Sequence, residues 1–332
     1  MAVSDELLGP VLREVSRAFY LSLRVLPAAV RPQISLAYLL ARITDTIADT
    51  DLVPPERRVE KLRQFRARIR DDGAPPVDFS HLAREQASAA ERTLLEHSAE
   101  AIALLDKTEA ADRGKIQLVL ETITRGQELD LLRFGDGSEL HALDSAEDLD
   151  DYTYHVAGCV GEFWTRLTRA HCFPDDEIDE QRFVENAIRF GKGLQLVNIL
   201  RDLPADLAHG RCYLPAVDLA VANLQPADLR DPENWPRLQP IVAPWLETAT
   251  DHLRAGWHYT LQLPHDQYRL RLACAWPILI GRRTLDLIRP ANLLQPGQRL
   301  KVTRGNVRGI IWSTLWRLPF RGPWRRLVPD GE

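Results

Sequence analysis

The most constraining feature of this chain is a pair of apolar stretches that each carry two aspartates four residues apart. Residues 33–51 read Q-I-S-L-A-Y-L-L-A-R-I-T-D-T-I-A-D-T-D, and residues 191–206 read G-K-G-L-Q-L-V-N-I-L-R-D-L-P-A-D. A separation of four places Asp45 over Asp49, and Asp202 over Asp206, on one face of a helix. Arg42 stands one turn before Asp45 on nearly the same stripe. Gln195, Asn198, Asp202 and Asp206 follow at steps of three, four and four, flanked by Leu194, Leu196, Val197, Ile199 and Leu200. An ordinary surface helix has a wide charged face and a narrow apolar one. A polar seam within an apolar helix instead predicts side chains lining a cavity.

The rest of the chain is rich in Ala, Leu, Arg and Glu, with few alternating runs of Val, Ile or Thr. That pattern predicts an almost all-α protein. Pro27 and Pro32 bracket a turn, Pro54-Pro55 is read as the end of a helix, and residues 73–76, 135–148 and 174–180 are read as loops. Six prolines between positions 215 and 244 predict irregular structure with short helices, long helices resuming after Trp245. Pro204 predicts a kink with Asp206 just beyond it. No repeat or polar linker divides the chain, so residues 1–298 are expected to form one helical unit, followed by a distinct tail over 299–332.

Charge narrows the partners. Forty-two Lys and Arg against 47 Asp and Glu leave a net charge of -5, which argues against nucleic acid. The first ten residues lack the basic start and apolar stretch of a signal peptide, so a cytoplasmic location is expected. Uncharged stretches such as 272–281 reach about half the roughly 20 residues a membrane helix needs. Cys159, Cys172, Cys212 and Cys274 lie far apart with no metal-ligand spacing and are expected to be buried thiols.

Asp-x-x-x-Asp alone is a weak signal, because it occurs four times. Asp144/Asp148 and Asp175/Asp179 lie in acidic, loop-like sequence where solvated charge suffices. For the two pairs in apolar sequence, the plain alternative is a set of core salt bridges, Asp45 to Arg42 and Asp202 to Arg201 or Lys192. Buried ion pairs seldom gain much net stability. Hard carboxylate oxygens without nearby sulfur or imidazole suit Mg²⁺, which prefers to share its shell with phosphate oxygens. The expected ligand is a Mg²⁺-bound diphosphate.

Four segments in order then carry a resemblance: S-R-A-F at 16–19, Y-L-L-A-R-I-T-D-T-I-A-D at 38–49, Y-T-Y-H-V-A-G-C-V-G at 152–161, and L-Q-L-V-N-I-L-R-D-L-P-A-D-L-A-H-G-R-C-Y-L-P at 194–215. Here the sequence resembles the squalene/phytoene synthase family, most of all bacterial squalene synthases. The resemblance implies an all-α isoprenoid synthase bundle around a central apolar cavity, with Asp45, Asp49, Asp202 and Asp206 holding Mg²⁺. It implies that Arg17, Arg42, Arg201 and Arg211 help to neutralise diphosphate. It places Ser16, Phe19, Tyr38, Gln195 and Asn198 at the cavity mouth, Tyr213 in the family's G-R-x-Y-L-P stretch, and Tyr152 at a position proposed to assist the chemistry. Plainer roles compete: surface charge for Arg17 or Arg211, core packing for Phe19 and Tyr38, helix capping for Tyr152. Where squalene synthases commonly read Asp-x-x-Glu-Asp, this chain has Ala48 and Ala205 at the glutamate positions, which leaves the metal count open.

The implied activity is head-to-head condensation of two farnesyl diphosphates, through presqualene diphosphate, to squalene with NADPH as reductant. The basic segment Q-R-L-K-V-T-R at 298–304 resembles one near the end of bacterial and eukaryotic squalene synthases, and that resemblance favours squalene as the product. Phytoene or dehydrosqualene synthesis, or a reaction ending at presqualene diphosphate or hydroxysqualene, is the alternative. A non-catalytic, membrane-associated assembly factor is a further one, although such relatives tend to lose the aspartates that are all present here. Between positions 299 and 326 the tail holds eight basic residues and no acidic one, with Trp312, Trp316, Phe320 and Trp324 interleaved. That composition suits peripheral contact with an anionic membrane on its cytoplasmic face; the competing expectation is a tail packed on the protein with its arginines in solvent.

Overall fold

Helices occupy nearly every stretch in which apolar residues recur at three- and four-residue steps. The computed structural model describes residues 7–16, 20–50, 52–135, 137–298 and 300–328. By contacts the chain divides into unit 1, Met1–Asp136 with Arg166–Pro174, and unit 2, Gly137–Thr165 with Asp175–Glu332. The tail falls within unit 2.

Unit 1 contains α1 (Leu12–Ser16), α2 (Tyr20–Val25), α3 (Arg31–Ala48), α4 (Pro55–Arg70), α5 (Ser80–Glu85), α6 (Ala89–Glu96), α7 (Ser98–Asp106) and α8 (Ala110–Phe134). The helix α3 carries the first acidic pair. Its stripe Leu36, Leu39, Leu40, Ile43 and Ile47 is buried, at about 1.5–3 kcal/mol of transfer free energy for each large side chain. It packs on α8, whose Ile116, Val119, Leu120 and Ile123 are buried in turn. Pro55 opens α4 rather than ending a helix. At the first helical position its missing N–H has no intrahelical partner to lose. Gly135, at φ 60° and ψ -136°, terminates α8 in a conformation that essentially only glycine adopts.

In unit 2, α9 (Ala146–Thr153) leads through a π-helical turn, Tyr154–Gly158, into α10 (Cys159–Cys172), of which residues up to Thr165 belong here. Next come α11 (Glu180–Ala208), α12 (Ala216–Val221), α13 (Trp235–Gln262), α14 (Tyr268–Ile288), α15 (Arg304–Arg317) and α16 (Arg321–Arg325). Two short strands, β1 (His141–Leu143) and β2 (Arg211–Pro215), pair in parallel with His141 opposite Arg211. The two acidic pairs read as plain surface are not all idle: Asp148 completes a capping box with Ser145 at the start of α9, and Asp179 caps α11.

Three prolines stand where the sequence predicted irregular chain, yet α13 begins at Trp235 and runs through Pro240 and Pro244. Pro236, Pro240 and Pro244 share one solvent-facing stripe. The carbonyls left without an N–H partner can therefore bond to water. The opposite stripe, Leu238, Val242, Leu246, Ala249 and Leu253, is buried and holds the helix. Pro204 likewise fails to end α11, because Leu196, Leu200, Leu203 and Leu207 are buried on either side of it and hold the helix. Asp206 thus stays one helical turn beyond Asp202. Among the described residues no helix is long and apolar enough to cross a membrane. Cys159, Cys212 and Cys274 are buried free thiols, and Cys172 is half-buried.

The packing of α11 on α13 produces one titration effect. Arg189 Nε donates to His252 Nδ1 at 3.2 Å. Burial, with Arg189 and Lys192 nearby, pushes the His252 imidazole down to about 4 from its ordinary 6.5, against the opposing pull of Asp150 and Asp251. Between those values the unfolded chain binds the extra proton, so stability rises with pH across the window and falls as pH drops through it. Going from pH 7.5 to 5 is expected to cost about 2 kcal/mol through this residue. Urea melts at both pH values should show that decline in the wild type and much less of it in His252→Asn; equal declines would reject the assignment.

Candidate functional site

The first acidic pair lies at the C-terminal end of α3, in unit 1. Gln127 of α8 donates from Nε2 to Asp45 Oδ1 at 2.6 Å. Arg42 Nη1 lies 3.7 Å from Asp45 Oδ2, and Arg42 Nη2 donates to Glu91 Oε1 at 2.5 Å. Asp49 occupies the cap of α3, its N–H bonded to the Asp45 carbonyl at 2.8 Å. The Asp45 carboxyl has dense protein around it although its side chain is 45% exposed. Burial first, and then repulsion from Asp49, push it up to about 6, against the pull of Arg42 and Gln127. Burial pulls the Arg42 guanidinium down, but Asp45 and Glu91 outweigh it and hold the group above its ordinary value. Arg42 Nε and Gln127 Oε1 are buried without a hydrogen-bond partner among the described residues. Just past Asp49, an open groove of about 780 Å³ is lined by Leu52, Val59, Leu131 and Leu132, with Arg58 and Arg63 among the remaining residues. Arg58 Nη1 donates to the Ala48 carbonyl at 2.7 Å, steadying the end of α3.

The second acidic pair lies near the end of α11, in unit 2. Arg201 Nε donates to Asp202 Oδ1 at 2.8 Å, and Arg201 Nη2 bonds to Asp202 Oδ2 in a fork. These hydrogen bonds, with Asp206 nearby, raise the guanidinium. Asp206 also acts on Cys212 of β2, whose thiol burial pushes up to about 12. On the strand side of the unit, Tyr152 of α9 stacks on Tyr213 of β2, ring centroids 4.6 Å apart and planes at 23°. Tyr152 Oη donates to Tyr213 Oη at 3.2 Å. Tyr213 is buried, and Arg211 is half-buried on the same strand.

Both salt bridges named as the plain alternative are present, Asp45 to Arg42 and Asp202 to Arg201, whereas Lys192 pairs with Asp150 at 2.7 Å. They are not core bridges. The side chains of Asp45 and Asp202 are 45% and 47% exposed, and Asp49 is exposed too. Asp45, Asp49 and Asp202 therefore reach solvent, and pairs of this kind contribute at most about 1 kcal/mol. Tyr38 and Gln195 are half-buried, Asn198 is exposed, and Ser16 is buried with its Oγ unpartnered among the described residues. Arg17 and Phe19 lie outside the described residues.

Sequence reading missed Gln127 and Glu91, which hold Asp45 and Arg42. The signal was a polar Gln127-Glu128 dipeptide on the buried side of α8, where Glu128 meets Arg63 and Arg66. Among the described residues no three His, Cys, Asp or Glu side chains are gathered as a ready metal cage. The donor set still fits Mg²⁺, which typically takes one or two carboxylates and completes its shell with water and substrate phosphate. The mutual repulsion of Asp45 and Asp49 is what a divalent cation would relieve.

The helical scaffold is that of the all-α isoprenoid synthases, and solved structures of that fold superimpose on this chain. The structure of TcSQS with the ligand E5700 does so with a TM-score of 0.77 at 22% identity, covering 95% of this chain and 89% of that one. A dehydrosqualene synthase in complex with ligand gives 0.68 at 20% identity, covering 95% and 96%. At such identities the likeness is one of fold. The family model described as squalene/phytoene synthase matches residues 12–306, and the chain belongs to that family. Presqualene diphosphate synthase from Rhodopseudomonas palustris (strain ATCC BAA-98 / CGA009) is 32% identical over 241 residues, 72% of each chain. For other curated relatives the match spans 37% to 60% of their length.

Proposed function

We propose that the protein is a head-to-head prenyltransferase that condenses two farnesyl diphosphates through presqualene diphosphate to squalene, with NADPH as reductant. The observation that carries the reading is the pairing of solvent-reaching aspartates with arginines on two apolar-backed helices, α3 and α11. In this reading Asp45, Asp49, Asp202 and Asp206 are the residues that would hold Mg²⁺. When bound, that ion supplies charge neutralisation for a departing diphosphate. Arg42 and Arg201 are each assigned to phosphate oxygens, which a guanidinium fork meets in a geometry lysine cannot reproduce; Arg17 and Arg211 are assigned the same task. Charge that accumulates as the allylic C–O bond ionises is met by these preorganised donors. Ser16, Phe19, Tyr38, Gln195 and Asn198 are assigned to substrate positioning. The stacked Tyr152–Tyr213 pair is assigned to the carbocation, its ring faces being attractive to positive charge and its linked hydroxyls being a route for a proton.

A second reading, arrest at presqualene diphosphate, is favoured by the 32% identity with presqualene diphosphate synthase. One experiment separates the two. Incubation with farnesyl diphosphate and Mg²⁺, with and without NADPH, is followed by mass spectrometry of the products. Squalene that depends on NADPH supports the first reading, and presqualene diphosphate under both conditions supports the second. A C40 product from geranylgeranyl diphosphate, with none from farnesyl diphosphate, would overturn both.

A further inference from the structure

The tail divides its aromatic side chains between two environments. The inner stripe of α15, with Val307, Ile310, Ile311 and Thr314, packs on α14. Trp276 Nε1 donates to Thr314 Oγ1 at 2.9 Å. Farther on, Trp324 is 1% exposed. Its ring centroid lies 5.5 Å from that of Trp257, and the Arg271 guanidinium sits 5.3 Å from the Trp324 ring centre. Trp257 Nε1 also donates to the Arg325 carbonyl at 3.3 Å. Of the four tail aromatics, Trp324 is thus an internal anchor, held by the tilted Trp257 ring and by a cation over its face.

Those contacts fix which side of α15 faces outward. Arg304, Arg308, Trp312 and Trp316 recur every four residues along the outer stripe, next to Leu315 and Phe320. Trp312 and Trp316 are each 74% exposed and Phe320 51%, and the Trp316 and Phe320 rings lie 6.2 Å apart. A continuous row of large apolar side chains left in water marks a binding surface. Residues 300–328 carry seven Lys and Arg and no acidic side chain, on a chain whose net charge is -5. Electrostatics therefore direct this face toward an anionic surface. The 14 residues of α15 reach roughly 21 Å at 1.5 Å each, too short to span a bilayer. Tryptophan and arginine together are the composition of the water–lipid interface. A second copy of this chain fits less well, because the ridge of one short helix offers far less than the roughly 800 Å² per partner of a stable interface.

We propose that the outer face of α15 docks on an anionic lipid bilayer. Trp312, Trp316 and Phe320 enter the headgroup region, while Arg304, Arg308 and Arg321 meet lipid phosphates. The inference concerns binding alone and stands or falls separately from the catalytic reading. The test is sedimentation of the full chain with vesicles of phosphatidylcholine, or of phosphatidylcholine with about one third phosphatidylglycerol. The wild type should pellet with the anionic vesicles and release at high salt. Trp312→Ala/Trp316→Ala should weaken partitioning about tenfold or more. Arg304→Gln/Arg308→Gln should weaken it by about fivefold per charge, on the anionic vesicles only. Unchanged melting midpoints would show that both variants stay folded, as expected for exposed side chains. The proposal is overturned if the wild type stays in the supernatant, if both variants pellet like the wild type, or if the tryptophan pair instead holds together a dimer that ignores vesicles.

Discussion

Asp202→Asn and Asp45→Asn are each expected to lower turnover of farnesyl diphosphate by about 10³-fold or more, the scale on which single charge-stabilising groups act in transition states. The melting midpoint should not fall: both side chains are nearly half exposed, exposed ion pairs contribute little to stability, and the Asp45 charge is disfavoured in the folded chain. That contrast discriminates between the two explanations of the aspartates. If Asp202 served only to pair with Arg201, the amide would still accept one of its hydrogen bonds and turnover would survive. A raised Mg²⁺ requirement in the weaker variant Asp206→Asn would place the loss in ion binding rather than in folding. Full activity in Asp45→Asn would remove the basis of the proposed function.

The second large effect concerns stability. A methyl group added at Gly161 would lie 2.0 Å from the Ala187 carbonyl oxygen, and one at Gly191 would lie 2.2 Å from the Ala157 carbonyl oxygen. Both contacts are with backbone, which cannot swing aside as a side chain can. Gly161→Ala and Gly191→Ala should each destabilise unit 2 by roughly 3 kcal/mol, at the upper end for overpacked sites. Gly114→Ala and Gly309→Ala are the controls. Each glycine is helical with open space around its Cβ position, so alanine should stabilise by about 0.5–1 kcal/mol. Urea titrations of the four variants check the signs; a neutral Gly161→Ala would mean that α10 and α11 are not held at this distance.

The site was legible because its chemistry is local. Asp45 with Asp49, and Asp202 with Asp206, announce themselves through four-residue spacing within apolar sequence. The groups that hold them were not legible, because Gln127 and Glu91 come from separate helices, 82 and 49 residues from their partners Asp45 and Arg42. Proline misled for a related reason. Pro204, Pro240 and Pro244 weaken helix locally, but a continuous buried stripe outweighs one missing hydrogen bond, and at Pro240 and Pro244 that stripe is on the opposite face, so the freed carbonyl can turn to water.

The sequence by itself determined the helical class, the acidic stripes, the arginines beside them and the basic, tryptophan-bearing tail, since periodicity and charge are properties of neighbouring residues. Only the tertiary structure decided that the aspartates reach solvent, that Tyr152 stacks on Tyr213, and that Trp324 turns inward while Trp312 and Trp316 remain outside. Those outcomes depend on which distant surfaces meet, and burial is settled by packing between elements rather than within them.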